Sequence, residues 1–476
     1  MKLIKPNSSD GYKRIGAPEI DDNPLLAHLR LPPETDDDAF ISLGLRPDFD
    51  PSDRNLPTSL RRLRVDKLRG FFVPTQTAHR NALIGISSQV FSGYMHRNPL
   101  TPQGQRKLIG RPADHSYRPT ISFIAGHSGM GKSTLIDRIL ASIGHQVYQH
   151  VDFRGTPFPE QQILWLRRNV PEYCTVKTLC SSFGDYADNV LGQQLYKGIF
   201  SYTRISDRSY FINEIRKIIT NHHVGLLVFD EFQNLSLMGV GAEKIIAFLV
   251  TLRDELGLPI VIIGTYGALG LLEKNMSTAR RLAEGGFYDL ERPTSADDDG
   301  WQQLCRVAWP YQWVREPQEF SSDICEALYS VSQGITGIML SVYAAAQISA
   351  MQNGSEKVDA DLISEVFRSQ MKPLHSAIET LRVGSMLKGS RFEDVYRNFH
   401  PTADTPAGTD LNPASPLVDS HESRSARPQL PDAAEAKRKK RKNKNVSRPK
   451  LTLAEIESAV GASDVAKLTS IFKLPL

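Results

Sequence analysis

Long apolar runs alternate with helix-period segments through the middle of this chain. Phe287–Leu290 reads as a fifth strand, and unalternating apolar stretches stand at Thr120–Ala125, within Val224–Glu231 and at Leu258–Gly264. Such runs predict strands buried on both faces. Gln162–Arg167 reads as a further core strand, and His145–Phe153 as an extra strand or hairpin. Between them the period is helical, at Leu135–Ile143, Thr178–Tyr196, Tyr210–Thr220 and Gly241–Leu256. Strands alternating with helices predict an α/β fold: a parallel five-stranded sheet in three layers. Upstream, Thr77–Met95 is helical. Downstream, residues 295–390 carry only helical patterns, among them Asp299–Trp309, Ser321–Ser332, Gly337–Met351 and Asp359–Met371, and predict a helical lid.

The ends differ from the middle. Residues 1–59 are rich in Pro, Asp and Ser, with only two short apolar pieces, Pro24–Arg30 and Phe40–Leu45. Low apolar density predicts an extended, partly disordered arm, or docking peptides for a partner. The core then spans residues 60–294. It opens on Leu60–Arg69, a basic segment with apolar residues at helical spacing, which fits either a phosphate contact or a solvated helix face. Phe71–Thr75 predicts a short strand or turn. Residues 391–450 turn to Pro, Ala, Ser and charge, and Lys437–Lys444 has seven basic residues in eight. This predicts a disordered linker, whose charge would serve solubility or attract DNA phosphates without reading sequence. Residues 451–476 regain helical periodicity and read as an amphipathic partner-binding peptide on that tether.

Composition changes this picture little. The 476 residues suffice for two or three domains, and the net charge of +4 announces no partner by itself. Cys174, Cys180, Cys305 and Cys325 have neither C-x-x-C spacing nor a His/Cys cluster, so they read as reduced, buried thiols rather than zinc ligands. The N-terminus lacks a signal-peptide pattern, and the longest apolar run is broken by Gly264, Gly267 and Gly270. The expectation is a bacterial cytoplasmic protein with no membrane partner.

The chemistry starts at Gly126-His-Ser-Gly-Met-Gly-Lys-Ser-Thr134. This G-x-x-x-x-G-K-S pattern follows a strand and opens a helix, the P-loop order. Backbone N–H groups of Gly126, His127, Ser128, Gly129, Met130 and Gly131 would cradle phosphates, with Thr134 continuing the binding stretch. Lys132 would reach the β- and γ-phosphates of ATP, and the Ser133 hydroxyl would hold Mg2+. The run Val224–Glu231 ends in two carboxylates, a Walker B pattern. Asp230 would hold the metal, and Glu231 would orient and deprotonate the attacking water. Thr265, at the end of the next strand, is either a polar sensor of the γ-phosphate or a strand cap. Arg280 and Arg281 are either arginine fingers reaching a neighbouring subunit's nucleotide or a solvated helix end.

Together these features resemble the AAA+ ATPases, and more closely the TnsC/TniB family of ATP-dependent transposition regulators. The similarity covers about residues 60–385. It rests on Gly93–Thr101, Val224–Leu235, Pro259–Thr265, Ser277–Arg281, Ser332–Gly337 and Met371–His375. Length and the tethered C-terminal peptide resemble the TnsC branch. The resemblance implies assembly as rings or helical filaments on duplex DNA with ATP, and slow hydrolysis that drives disassembly. It also implies a TnsD/TniQ-like target selector at the N-terminal arm and a TnsA/TnsB-like transposase at the C-terminal peptide. One departure stands out: Gly334-Ile-Thr-Gly337 lacks the lid arginine of many AAA+ proteins. A helicase loader or DNA-repair remodelling ATPase is the alternative; it would need brisk DNA-stimulated turnover and an aromatic pore loop. A scaffold with a degenerate site is a third reading, against which Lys132, Asp230 and Glu231 stand intact. Lys177, Arg204 and Arg208 are candidate DNA contacts by their place between the two Walker motifs.

Overall fold

The structure, a computed structural model, describes residues 12, 14–108, 118–172, 174–201, 208–238, 242–268, 280–281 and 284–383. The basic linker, the C-terminal peptide, Arg204 and Ser277–Ala279 lie outside the described residues.

In chain order the helices are α1 (Pro18–Asp21), α2 (Asp36–Leu43), α3 (Thr58–Val65), α4 (Thr77–Met95), α5 (Pro102–Leu108) and α6 (Lys132–Ile143). Then come α7 (Val176–Leu191), α8 (Lys197–Ser201), α9 (Arg208–Asn221) and α10 (Ala242–Leu256). The later helices are α11 (Asp299–Ala308), α12 (Ser322–Ser332), α13 (Thr336–Asn353), α14 (Ala360–Gln370) and α15 (His375–Val383). The strands are β1 (Ile121–Gly126), β2 (Val147–Gln149), β3 (Asp152–Phe153), β4 (Thr156–Pro157), β5 (Gln161–Ile163), β6 (Trp165–Asn169), β7 (Leu226–Asp230), β8 (Ile260–Ile263) and β9 (Phe287–Leu290).

Five strands form one parallel sheet in the order β6-β7-β8-β1-β9. Its three central strands, β7, β8 and β1, are buried along their whole length, so the apolar residues there need not alternate. Ile121, Phe123 and Ala125 face one core, shared with α7, α9 and α10. Ile124 faces the other, shared with α4 and α6. The carboxyl ends of β1, β7 and β8 gather Gly126, Asp230 and Thr265 at one edge of the sheet, the usual ligand edge of open α/β sheets.

Three expectations change. Gln162–Arg167 is not one strand. β5 pairs antiparallel with β2, and the chain then changes partner through Leu164, whose N–H donates to Gln146 O at 2.8 Å, before β6 joins the main sheet. An apolar run fixes burial, not the neighbour it pairs with.

Second, residues 14–59 do not form an extended arm. Leu25, Leu26, Ala27, Leu29, Ala39 and Leu43 are buried in the α4–α6 core. Asn23 Nδ2 donates to Tyr94 O at 2.9 Å, and Arg138 donates to the carbonyls of Leu43 and Ser42. The polar residues that lower the apolar density serve as caps: Thr35 accepts from Asp38 N–H and Asp50 from Ser52 N–H.

Third, Leu60–Arg69 is not a fully solvated helix face, although Arg62, Arg64 and Arg69 stay exposed. It forms α3 and a 3-10 turn (Asp66–Gly70), and Val65 and Leu68 enter the same core as α11–α14. Arg61 is fully buried there and forms a bidentate pair with Glu356. The helical region of residues 295–383 therefore closes around an N-terminal segment. Among the described residues no single helix is long and apolar enough to cross a membrane.

Candidate functional site

β1 delivers the chain into the loop Gly126–Gly131, and α6 starts at Lys132. Gly129 and Gly131 have φ of +84° and +83°, a region that disfavours side chains. Space is tight as well. A Cβ on Gly129 would stand 2.9 Å from Ile335 Cγ2, and one on Gly131 would stand 3.1 Å from the Phe72 ring. His127 and Met130 are buried and Ser128 is exposed. His127 packs edge-on against Tyr266 at 4.8 Å. Lys132 Nζ donates to the carbonyls of Gly126 at 3.0 Å and His127 at 2.8 Å, so its ammonium lies over the loop. Thr134, half-buried, continues the first turn of α6.

Ser133 and Asp230 meet across the end of the sheet. Ser133 Oγ donates to Asp230 Oδ2 at 2.8 Å. Asp230 Oδ1 accepts from Glu231 N–H at 2.8 Å. A buried carboxylate and a hydroxyl at this spacing are hard oxygen ligands, and they fit Mg2+. No group of three or more His, Cys, Asp or Glu side chains that could hold a metal ion exists among the described residues. Mg2+ does not require one, because it completes its shell with water and phosphate oxygens.

Glu231 follows β7 with φ +57°, a left-handed conformation costly for a non-glycine residue. This turn aims its side chain at Gln233. Gln233 Nε2 donates to Glu231 Oε2, while Gln233 Oε1 accepts from Thr265 N–H at 3.1 Å. Thr265 is buried. One amide therefore ties the candidate base to the end of β8. Sequence reasoning placed Glu231 and Thr265 but missed this tie; Gln233 stood only as a letter in the Val224–Leu235 resemblance.

A second missed residue is Arg167. It projects from β6 and pairs at once with Asp137 of α6 and with Asp230, at 2.6 Å from Oδ2. Burial works against its charge, but the two carboxylates outweigh that, and its pKa is raised above the usual arginine value. A charged residue inside a strand beside the Walker B strand is the signal that could have found it.

Arg280 and Arg281 are exposed. The backbone of Arg281 is tied to α10. Buried Arg253 donates to Arg281 O at 3.2 Å and pairs with Glu284 and Asp254, each at 2.8 Å. Lys177 is exposed near the start of α7, and Arg208 opens α9.

The helical region touches the loop directly. Gly337 N–H, in the first turn of α13, donates to Gly129 O at 2.8 Å. A Cβ on Gly337 would stand 3.1 Å from that carbonyl. Where a lid arginine is lacking, Gly334–Gly337 makes backbone contact with the P-loop instead.

The fold these features define is that of the AAA+ P-loop NTPases. Residues 115–272 match the family profile described as an AAA domain. A comparison with curated proteins gives no match. Three solved structures are similar at low identity. The Walker-type ATPase paby2304 of Pyrococcus abyssi is 15% identical, over 55% of this chain and 71% of that one, with a TM-score of 0.37. The ORC1 protein of Aeropyrum pernix, in complex with DNA, is 14% identical over 61% and 70%, with a TM-score of 0.38. Cdc6p from Pyrobaculum aerophilum is 16% identical over 60% and 66%, with a TM-score of 0.38.

Proposed function

We propose that this chain is an ATP-dependent, DNA-binding regulator of transposition of the TnsC kind. It binds ATP with Mg2+ in the Gly126–Thr134 loop and assembles with copies of itself on duplex DNA. It links a TnsD/TniQ-like target selector to a TnsA/TnsB-like transposase in the bacterial cytoplasm. Slow hydrolysis by Glu231 then releases the assembly.

One observation carries this reading: the division of the site. Lys132, Ser133, Asp230 and Glu231 meet in one subunit, whereas Arg280 and Arg281 are exposed on a backbone anchored by buried Arg253. That division supports a nucleotide completed from a neighbouring subunit, where an arginine would neutralise transition-state charge. Mg2+, when bound, would supply positive charge that offsets the phosphates. Ser133 and Asp230 would hold it, Lys132 would hold the terminal phosphates, and Glu231 would take the proton of the attacking water.

Electron micrographs of the full chain with duplex DNA test the reading. Regular assemblies are expected with a non-hydrolysable ATP analogue. They should be lost with ADP, with no nucleotide and in Lys132→Ala. Equal assembly in all four conditions refutes it. Brisk, DNA-stimulated steady-state turnover without stable assemblies would instead favour a remodelling ATPase.

A further inference from the structure

Asp230 is the carboxylate that the metal would use, yet both of its oxygens already accept hydrogen bonds. Oδ1 accepts from Glu231 N–H. Oδ2 accepts from Ser133 Oγ at 2.8 Å and from Arg167 at 2.6 Å. Ser133 and Asp230 Oδ2 are the same two groups that would face Mg2+. Asp230 is buried, with its side chain 5% exposed, and the Arg167 side chain is only 18% exposed. A buried carboxylate without a cation is costly, so a counter-charge is needed whenever the metal is away.

We propose that Arg167 is a built-in placeholder for Mg2+: it neutralises Asp230 in the nucleotide-free protein and yields Oδ2 when the metal arrives with nucleotide. This rests on the ATP-site reading above. Arg167 can yield without being stranded, because its other guanidinium nitrogen is already paired with Asp137 on α6, the helix that the P-loop opens. The guanidinium is planar and forked, so it can bridge two carboxylates and then keep one. α6 also carries Ser133, so the retained pair holds Arg167 beside the site. Arg167 touches neither substrate nor reacting atoms in this arrangement. It is a positioning residue that sets how much Mg2+ the site requires.

The two anchors give predictions of opposite sign. In Arg167→Met the metal no longer competes for Asp230. In Asp137→Asn the arginine loses its alternative partner and holds Asp230 harder. The experiment follows binding of a fluorescent ATP analogue to the full chain at fixed nucleotide while Mg2+ is titrated from an EDTA baseline. The Mg2+ midpoint should fall about tenfold in Arg167→Met, the coupling typical of a close charge pair. It should rise in Asp137→Asn. Arg167→Lys, which keeps the charge but loses the fork, should fall between Arg167→Met and wild type. Nucleotide-free melting should drop more in Arg167→Met than melting with Mg2+ and nucleotide present, because only the former leaves Asp230 without a cation.

Unchanged midpoints in both Arg167→Met and Asp137→Asn, or a rise in Arg167→Met, overturn the placeholder while leaving the ATP site standing. No binding of the analogue by wild type at any Mg2+ concentration overturns the ATP-site reading and the placeholder with it. Should Arg167→Met not fold, Asp137→Asn alone decides: a raised midpoint supports the proposal and an unchanged one overturns it.

Discussion

Removing Glu356 tests whether the N-terminal segment and the later helices are locked together by charge. Arg61 has no solvent-exposed side-chain surface. Its guanidinium makes five hydrogen bonds, to Leu56 O, Trp313 O, Thr58 Oγ1 and both oxygens of Glu356. Glu356→Ala removes two of the five and the only carboxylate that pairs with it among the described residues. The remaining partners are neutral oxygens, so a full charge is left buried. Breaking such a pair on one side costs about 3–5 kcal/mol. Replacing both partners with apolar residues, as in Arg61→Met with Glu356→Met, leaves no orphaned charge and should cost clearly less than Glu356→Ala. Guanidinium unfolding followed by fluorescence measures this, with the midpoint and slope read together. A cost for Glu356→Ala under about 1 kcal/mol, the range of an exposed pair, would refute the reasoning. A double variant less stable than the single one would refute it as well.

Other expectations follow from the site and the core. Glu231→Gln should bind ATP with near-normal affinity but lose hydrolysis by about two orders of magnitude or more, read by phosphate release; assemblies on DNA should then persist, and shedding at the wild-type rate would remove Glu231 from its role. Gln233→Leu should lower kcat with little change in KM, because it frees Glu231 from Thr265 without touching the P-loop; equal kcat would make the bridge merely structural. Stability should fall on acidification. Burial lowers the pKa of His28 to about 3 and of His79 and His150 to about 4, against an ordinary 6.5. The unfolded chain therefore binds protons first, so their contribution is full above about pH 6.5 and is lost as pH falls from there toward the folded values. Going from pH 7.5 to 5.5 should remove about 1 kcal/mol per histidine, measured by melting temperature. His150→Gln, beside Gln162 and Tyr12, should flatten that slope.

Much of this was legible in the sequence because burial on both faces of a parallel sheet leaves a local mark. β1, β7, β8 and β9 and helices α4, α6 and α10–α14 fall where the periodicity put them. The Gly126–Gly131 loop opening α6 and the Asp230–Glu231 turn closing β7 were legible because a strand–glycine loop–helix order is written in consecutive residues. What escaped was whatever depends on distant partners. Leu164 gives no local sign that the chain changes sheets there. Arg61 reads as a surface charge until Glu356, nearly three hundred residues on, is brought to it. Arg167 meets Asp137 and Asp230, and Gln233 meets Thr265, only when separate elements of the sheet and its helices come together. The short apolar pieces before residue 59 looked too sparse to pack, but packing onto an existing core needs far fewer apolar residues than building one.

The way the chain begins bears on how deletions should be designed. Phe72 lies against the glycine loop, and Val65, Leu68, Phe71 and Val73 complete the wall of the helices that come two hundred residues later. Trimming the first seventy-five residues would therefore strip Phe72 from the glycine loop and open an apolar wound beside it. Loss of function in such a truncation would report collapse of the engine, not a severed handshake with another protein. Surface point changes at Leu60 and Leu63, both exposed, are the cleaner probe of what that end recognises.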